Sequence, residues 1–223
     1  MGLTAGVRPN IAFLKDVPDC NVDIHKGVLV NDYLETTAPD VYAIGDCAQL
    51  MNPMPNRRDI EAVWYTGRMM GETVAYSVCG KRTAYNPGLW FNSAKFLDIE
   101  YQVYGHVPAN FPEELDSLYW EHSSGNKSVR IVFDKTSLAV VGFNLMGIRY
   151  RQEVCEQWIL NKTPLQSVLQ SLGLANFDPE FFEEYESDII DQYNRGFDGN
   201  IMLKHKRGLS GVLHFLKRKE KTS

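Results

Sequence analysis

The stretch Thr36-Thr37-Ala38-Pro39-Asp40-Val41-Tyr42-Ala43-Ile44-Gly45-Asp46 combines a turn, a short apolar run and a terminal Gly-Asp pair. The run Val41 to Ile44 lacks polar alternation, which predicts a strand buried on both faces, as in a parallel sheet. A carboxylate at the C-terminal end of such a strand stands where open α/β sheets hold ligands, and the Gly before it lets a ligand approach the backbone. Asp46 in that place accepts hydrogen bonds from sugar-like hydroxyls; the same residues also fit an ordinary turn. Upstream, Gly27-Val28-Leu29-Val30 reads as another strand. Downstream, Ile60, Val63, Trp64, Met70, Val74 and Val78 recur at helical steps, Asp59 and Glu61 lie early, and Gly80 closes the run. This pattern predicts a helix from Asp59 to about Val78.

The texture changes near Arg82 to Gly88. Beyond Pro87, a long strand-like run from Trp90 to Gly105 carries Ile99, Tyr101 and Val103 on one parity, followed by Leu118-Tyr119-Trp120, Val129 to Phe133 and Leu138 to Leu145. Ser124-Gly125-Asn126-Lys127 and Asp134-Lys135-Thr136-Ser137 supply turn chemistry, so the last three strands are expected to form an antiparallel meander. Helical spacing follows in Arg149 to Leu160, in Pro164 to Leu172 with Pro in the first turn, and in Pro179 to Tyr193. The closing segment Leu209 to Lys219 has a basic amphipathic pattern. The aromatic residues Tyr101, Tyr104, Tyr119 and Trp120 suit either a core or an interface on the sheet.

The 223 residues are 44% hydrophobic and 23% charged, which sets aside disordered, collagen-like and disulfide-scaffold classes. A net charge of −5 argues against a surface built for nucleic acid. The charge is uneven: Asp178 to Asp191 holds seven carboxylates and no Lys or Arg, whereas Lys204 to Lys221 holds seven Lys or Arg. Both read as solvated faces or as docking surfaces for a charged partner. Cys20, Cys47, Cys79 and Cys155 are too far apart for a Cys-x-x-Cys motif or a clustered zinc site, and the five histidines form no His-x-x-x-His pair, so no metal is expected. The N-terminus lacks the apolar core of a signal sequence and no run approaches the roughly 18 apolar residues of a membrane span. The expectation is a soluble cytoplasmic protein that engages neither membrane nor nucleic acid.

Thr37 followed by Tyr42-Ala43-Ile44-Gly45-Asp46-Cys47-Ala48 resembles the second flavin-binding motif of the FAD-dependent pyridine nucleotide-disulfide oxidoreductases. Further matches keep the family's order. Gly6-Val7-Arg8-Pro9-Asn10 resembles the segment where the chain returns from the NAD domain to the FAD domain. Glu61-Ala62-Val63-Trp64 with Gly71 and Ala75 is similar to a helix of the ferredoxin, rubredoxin and nitrite reductase branch. Trp90-Phe91-Asn92-Ser93, leading through Tyr101 to Gly105, resembles that branch's Trp-Phe-x-Ser passage into its C-terminal domain, with one residue inserted and Asn92 where an aromatic is usual. The match covers roughly the first half well and the second half as an architecture.

The resemblance implies that Asp46 binds the ribityl chain of FAD, with Gly45, Cys47 and Ala48 packing beside the ribityl and pyrophosphate. It implies that Glu61, Ala62, Val63 and Trp64 open a helix whose N-terminal amides point at the pyrimidine edge of the flavin, where orphan N–H groups and the helix dipole stabilise negative charge. Trp64 then faces the isoalloxazine or belongs to the core, and Cys47 is a small packing residue rather than a redox thiol. The implied fold is α/β plus α+β: residues 1–85 as an incomplete remnant of a FAD-binding Rossmann-like domain, and residues 86–223 as an antiparallel-sheet C-terminal interface domain with helices.

No Gly-x-Gly-x-x-Gly occurs, so neither the unit that holds the FAD pyrophosphate nor the one that holds NAD is found in these residues. The chain is therefore expected to be the C-terminal part of a FAD-dependent NAD(P)H oxidoreductase, inactive alone. Its expected partners are an N-terminal FAD/NAD-binding portion, a second copy in a homodimer, and a small redox-protein acceptor. The competing expectation is a non-catalytic interface or dimerisation module. The His-Pro and Glu pair of the family's glutathione-reductase branch is not found, which favours electron transfer through flavin over disulfide reduction.

Overall fold

Gly27 opens the first strand because a side chain there has no room: a Cβ would lie 2.8 Å from the Cys47 carbonyl oxygen. That close approach lets β1 (Val28–Val30) run parallel to β2 (Ala48–Leu50), with Val28 opposite Ala48 and Val30 opposite Leu50. The buried Gln49 side chain ties the pair together. Its Oε1 accepts the Lys26 and Gly27 N–H groups, and its Nε2 donates to Asp59. Helix α1 (Trp64–Val78) lays Met70 against Val30, Leu34, Ala48 and Leu50, with Ala43, Val74 and Tyr85 packed around them. The computed structural model describes residues 6–17, 21–177, 183–197 and 199–204. The chain divides into two compact units, the first ending at Asn92 and the second beginning at Ser93.

Two expectations for the first unit are corrected. Val41 to Ile44 is not a strand buried on both faces: Val41 and Ile44 are exposed, and the run is paired through the isolated antiparallel bridge between Glu35 and Tyr42. The strand forms four residues later, at Ala48, so Gly45-Asp46 precedes a parallel strand instead of ending one. A strand is defined by its neighbours, and here a strand partner is available to Ala48–Leu50. The second correction concerns the helix, which begins at Trp64 and not at Asp59. Asp59 is held at the strand: its carbonyl accepts the Leu50 N–H and its carboxylate the Gln49 amide, which keeps residues 59–63 out of the helix. The apolar stripe is also split, since Met70 is buried while Trp64 and Val78 are 69% and 68% exposed.

The second unit is a five-stranded sheet in the order β3-β4-β7-β6-β5. The run expected as one strand is two, β3 (Phe91–Phe96) and β4 (Ile99–Gly105), divided at Leu97, whose φ of 53° reverses the chain. The expected meander is present as β5 (Leu115–Glu121), β6 (Ser128–Asp134) and β7 (Val140–Met146), each antiparallel to the next. Tyr104 and Trp120 are core residues, whereas Tyr119 is 39% exposed. Helix α2 (Gln152–Leu160) packs on β4 and β7, α3 (Leu165–Gln170) is capped by Pro164, and α4 (Glu186–Gly196) buries Ile189, Ile190 and Tyr193. The basic segment Leu209 to Lys219 and the start of the helix expected from Pro179 lie outside the described residues.

Gly142 marks a tight passage of the sheet, where a Cβ would lie 2.3 Å from the His106 carbonyl oxygen. Gly142→Ala is expected to destabilise the second unit by about 1–3 kcal/mol, the usual cost of overpacking. Urea unfolding monitored by Trp fluorescence measures it.

Not every carboxylate of the acidic stretch is solvated. Glu186 is 2% exposed, accepts a hydrogen bond from Asn176 at 3.2 Å, and has its pKa raised by burial above the ordinary 4.5. Its folded state therefore holds the proton more tightly than the unfolded chain does. The contribution of Glu186 to stability is therefore fully present below pH 4.5 and is lost as pH rises from there through its folded pKa. Glu186→Gln is accordingly expected to raise the melting temperature at neutral pH, with the gain vanishing as pH falls below 4.5. A pH series of thermal melts on both proteins reads this out.

Candidate functional site: a Gly-Asp turn against the start of a helix

Gly45–Cys47 forms a single 3-10 turn between the exposed run at Val41 and the buried start of β2. Gly45 has a φ of 71°, a conformation that suits glycine. The turn is seated on α1. The Gly45 N–H points at the Met70 sulfur at 3.3 Å, a Cβ added at Gly67 would lie 3.5 Å from Gly45 Cα, and one at Gly71 would lie 3.8 Å from Ile44. Gly67 and Gly71, one helical turn apart, thus open the face on which the Gly45 backbone and the Ile44 side chain rest.

Asp46 is exposed at this turn, and Ala48 is fully buried where β2 begins. The Cys47 thiol donates to the Ile44 carbonyl at 3.4 Å and remains a free cysteine, which makes it part of the turn's own closure. The fold brings Gly45, Asp46 and Cys47 against the N-terminal half of α1.

That helix is capped by Val63, which offers no side-chain hydrogen bond, and Trp64 stands out from the fold above its first turn. Trp64 is therefore not a core residue of this unit; its ring lies edge-on to Tyr65, with the Arg68 guanidinium 5.8 Å away. Glu61 is 4% exposed, and its carboxylate is taken by Arg57 through two hydrogen bonds of 2.5 Å each. Ala62 is exposed and Val63 half-buried beside it. Gly67 and Arg57 were missed in the sequence and Met70 was read only as part of the helical stripe, although Gly67 and Gly71 are spaced by four, as are Arg57 and Glu61.

Chemically, the turn and the helix start offer one carboxylate for hydroxyl groups, a helix N-terminus suited to negative charge, and an exposed aromatic ring. These fit the ribityl and pyrimidine ends of a flavin. A pyrophosphate cradle is not among the described residues. No group of three or more His, Cys, Asp or Glu suited to a metal ion occurs among them. No helix among the described residues is long and apolar enough to cross a membrane.

Residues 2–71 match the family model described as pyridine nucleotide-disulphide oxidoreductase. The match is carried by the segment that includes the Gly-Asp turn and the first half of α1, so the likeness to this family rests on the first third of the chain. It is 33% identical over 110 residues to the NADH-rubredoxin oxidoreductase of Clostridium acetobutylicum, covering 49% of this chain and 27% of that protein. It is 36% identical over 201 residues to the assimilatory nitrate reductase electron transfer subunit of Bacillus subtilis, covering 89% of this chain and 24% of that protein. The chain thus spans about a quarter of the length of these relatives. Among solved structures, the NAD-dependent persulfide reductase from A. fulgidus shares the fold, with a TM-score of 0.61 at 16% identity over 86% of this chain and 38% of that one.

Proposed function

We propose that this chain is the C-terminal portion of a FAD-dependent NAD(P)H oxidoreductase that passes electrons from NAD(P)H through flavin to an acceptor. The observation that carries the reading is the seating of the exposed Gly45-Asp46 turn on the glycine face of α1, which puts a free carboxylate near a helix start. FAD, when bound, supplies the capacity to accept hydride and release electrons. The residues of this chain supply position. Asp46 holds ribityl hydroxyls, Gly45, Cys47 and Ala48 form the backbone floor, and the first-turn N–H groups of α1 favour negative charge at the pyrimidine edge.

The dinucleotide cradles belong, in this proposal, to a FAD/NAD-binding portion not contained in these residues, so the chain alone is inactive. The exposure of Val41, Ile44, Trp64 and Val78 supports such a cover over the first unit, because apolar side chains of this size gain from burial. The two units correspond to a FAD-domain remnant and an interface domain. The acceptor class is a small redox protein or a reductase module, as the names of the rubredoxin and nitrate reductase relatives suggest, and the setting is the cytoplasm.

One observation favours a second reading, an interface module that does no chemistry. Leu97 is 94% exposed and Phe96 64% exposed at the tip joining β3 to β4, which suits a contact with another copy. Visible absorption of the purified chain separates the two, measured with excess FAD and with the dinucleotide-binding portion supplied. Flavin bands that survive desalting support the oxidoreductase reading. A colourless protein that is dimeric by sedimentation supports the interface module.

A further inference from the structure

We propose that Arg57 and Glu61 form a positioning clamp, which fixes the first turn of α1 relative to the segment Gly88 to Trp90 and thereby sets where its N–H groups meet a flavin. The second half of this inference rests on the flavin reading above. All three guanidinium nitrogens of Arg57 are committed. Nε and Nη2 donate to the two carboxylate oxygens of Glu61 at 2.5 Å, and Nη1 donates to the Gly88 carbonyl at 3.0 Å. The Trp90 ring roofs the guanidinium, with its centroid 5.0 Å from Cζ. The two side chains are 6% and 3% exposed.

The clamp reaches the helix through the backbone of Glu61. Its carbonyl accepts the Val63 N–H at 2.9 Å and faces the Thr66 hydroxyl at 3.2 Å. The same hydroxyl lies 2.8 Å from the Val63 carbonyl, which also accepts the Gly67 N–H that closes the first turn. Thr66 is 2% exposed, so this linkage is interior. Helices usually take their starting direction from a Ser, Thr, Asp or Asn cap, and α1 has Val63 without a capping bond. Arg57 and Glu61 stand in for the missing cap, at one remove.

Stability alone does not call for such a pair, since a buried ion pair is often replaced by apolar side chains without loss. Its bidentate geometry fixes direction instead. Tyr85 marks how dry the surroundings are. Its hydroxyl is buried with no hydrogen-bond partner among the described residues, and burial, then the Glu61 carboxylate, push its pKa up to about 12.

The test compares the parent with the double variant Arg57→Met/Glu61→Leu, which removes both charges and keeps the packing, so that folding is preserved. Amide hydrogen exchange of the purified chain is followed by NMR at Thr66 and Gly67, with the amides of Met70 to Val74 as the internal reference. In the double variant, the first-turn amides are expected to exchange at least about tenfold faster relative to that reference. Unchanged relative protection overturns the clamp. In the flavin-loaded complete protein, the double variant is expected to keep its flavin while its visible band and midpoint potential shift. A band and potential identical to the parent's overturn the link to the flavin. A parent that takes up no flavin overturns the flavin reading and this second half together, while the exchange result still decides the clamp itself.

Discussion

Asp46→Ala in the complete flavoprotein is expected to weaken FAD binding by about 1.5–3 kcal/mol, roughly 10- to 150-fold in Kd, the scale of lost charge-assisted hydrogen bonds. The effect is one of binding and not of folding. Asp46 is exposed, and the turn is held by the Gly45 N–H on the Met70 sulfur and by the Cys47 thiol on the Ile44 carbonyl, none of which the substitution removes. The melting temperature of the flavin-free chain is therefore expected to stay where it is. Flavin content after desalting, together with a fluorescence titration, measures the affinity. A Kd equal to the parent's would remove Asp46 from the site.

Arg57→Met alone is expected to destabilise the first unit by about 3–5 kcal/mol, because it leaves the Glu61 carboxylate buried without its counter-charge. Glu61 is 4% exposed, and its backbone carbonyl is held by the Val63 N–H and the Thr66 hydroxyl. Adding Glu61→Leu to Arg57→Met is expected to recover most of that loss, since the uncompensated charge is then gone. Urea denaturation of the three proteins reads both steps. A single variant as stable as the parent would show that the pair is wet and unimportant to the fold.

Much of the second unit was legible in its sequence because its strands pair with near neighbours. The turns at Ser124 to Lys127 and Asp134 to Ser137 state their own reversals, and β5, β6 and β7 follow from them. The first unit was legible as residues but less so as elements. Val41 to Ile44 has the composition of a buried strand, yet no ladder beside it among the described residues makes it one, and the parallel pairing falls to Ala48–Leu50. The start of α1 was misplaced for a local reason. Asp59 and Glu61 look like the acids of a first helical turn, but one is bound to Gln49 and the other to Arg57.

The site shows the same division. Gly45 and Asp46 announced themselves through a short motif, and the family match over residues 2–71 bears out the resemblance that the motif carried. The surface that receives the turn was harder to see. Gly67 and Met70 contribute an absence of side chain and a sulfur contact, which periodicity does not register. Arg57 lies outside any helix, so its spacing of four from Glu61 signified a buried pair across a bend and not the exposed helical pair that such spacing ordinarily suggests. Trp64, read as either flavin-facing or core, is exposed on the first unit.

The most direct measurement is a titration of the isotope-labelled chain with FAD, followed residue by residue in its amide NMR spectrum. Binding is expected to be weak without the pyrophosphate cradle, but the spectrum reports where contact occurs. The account predicts shifts confined to Gly45 through Ala48 and to Trp64 through Gly67. Amides of these two segments that stay in place while others move, or a spectrum that FAD leaves unchanged throughout, would contradict it.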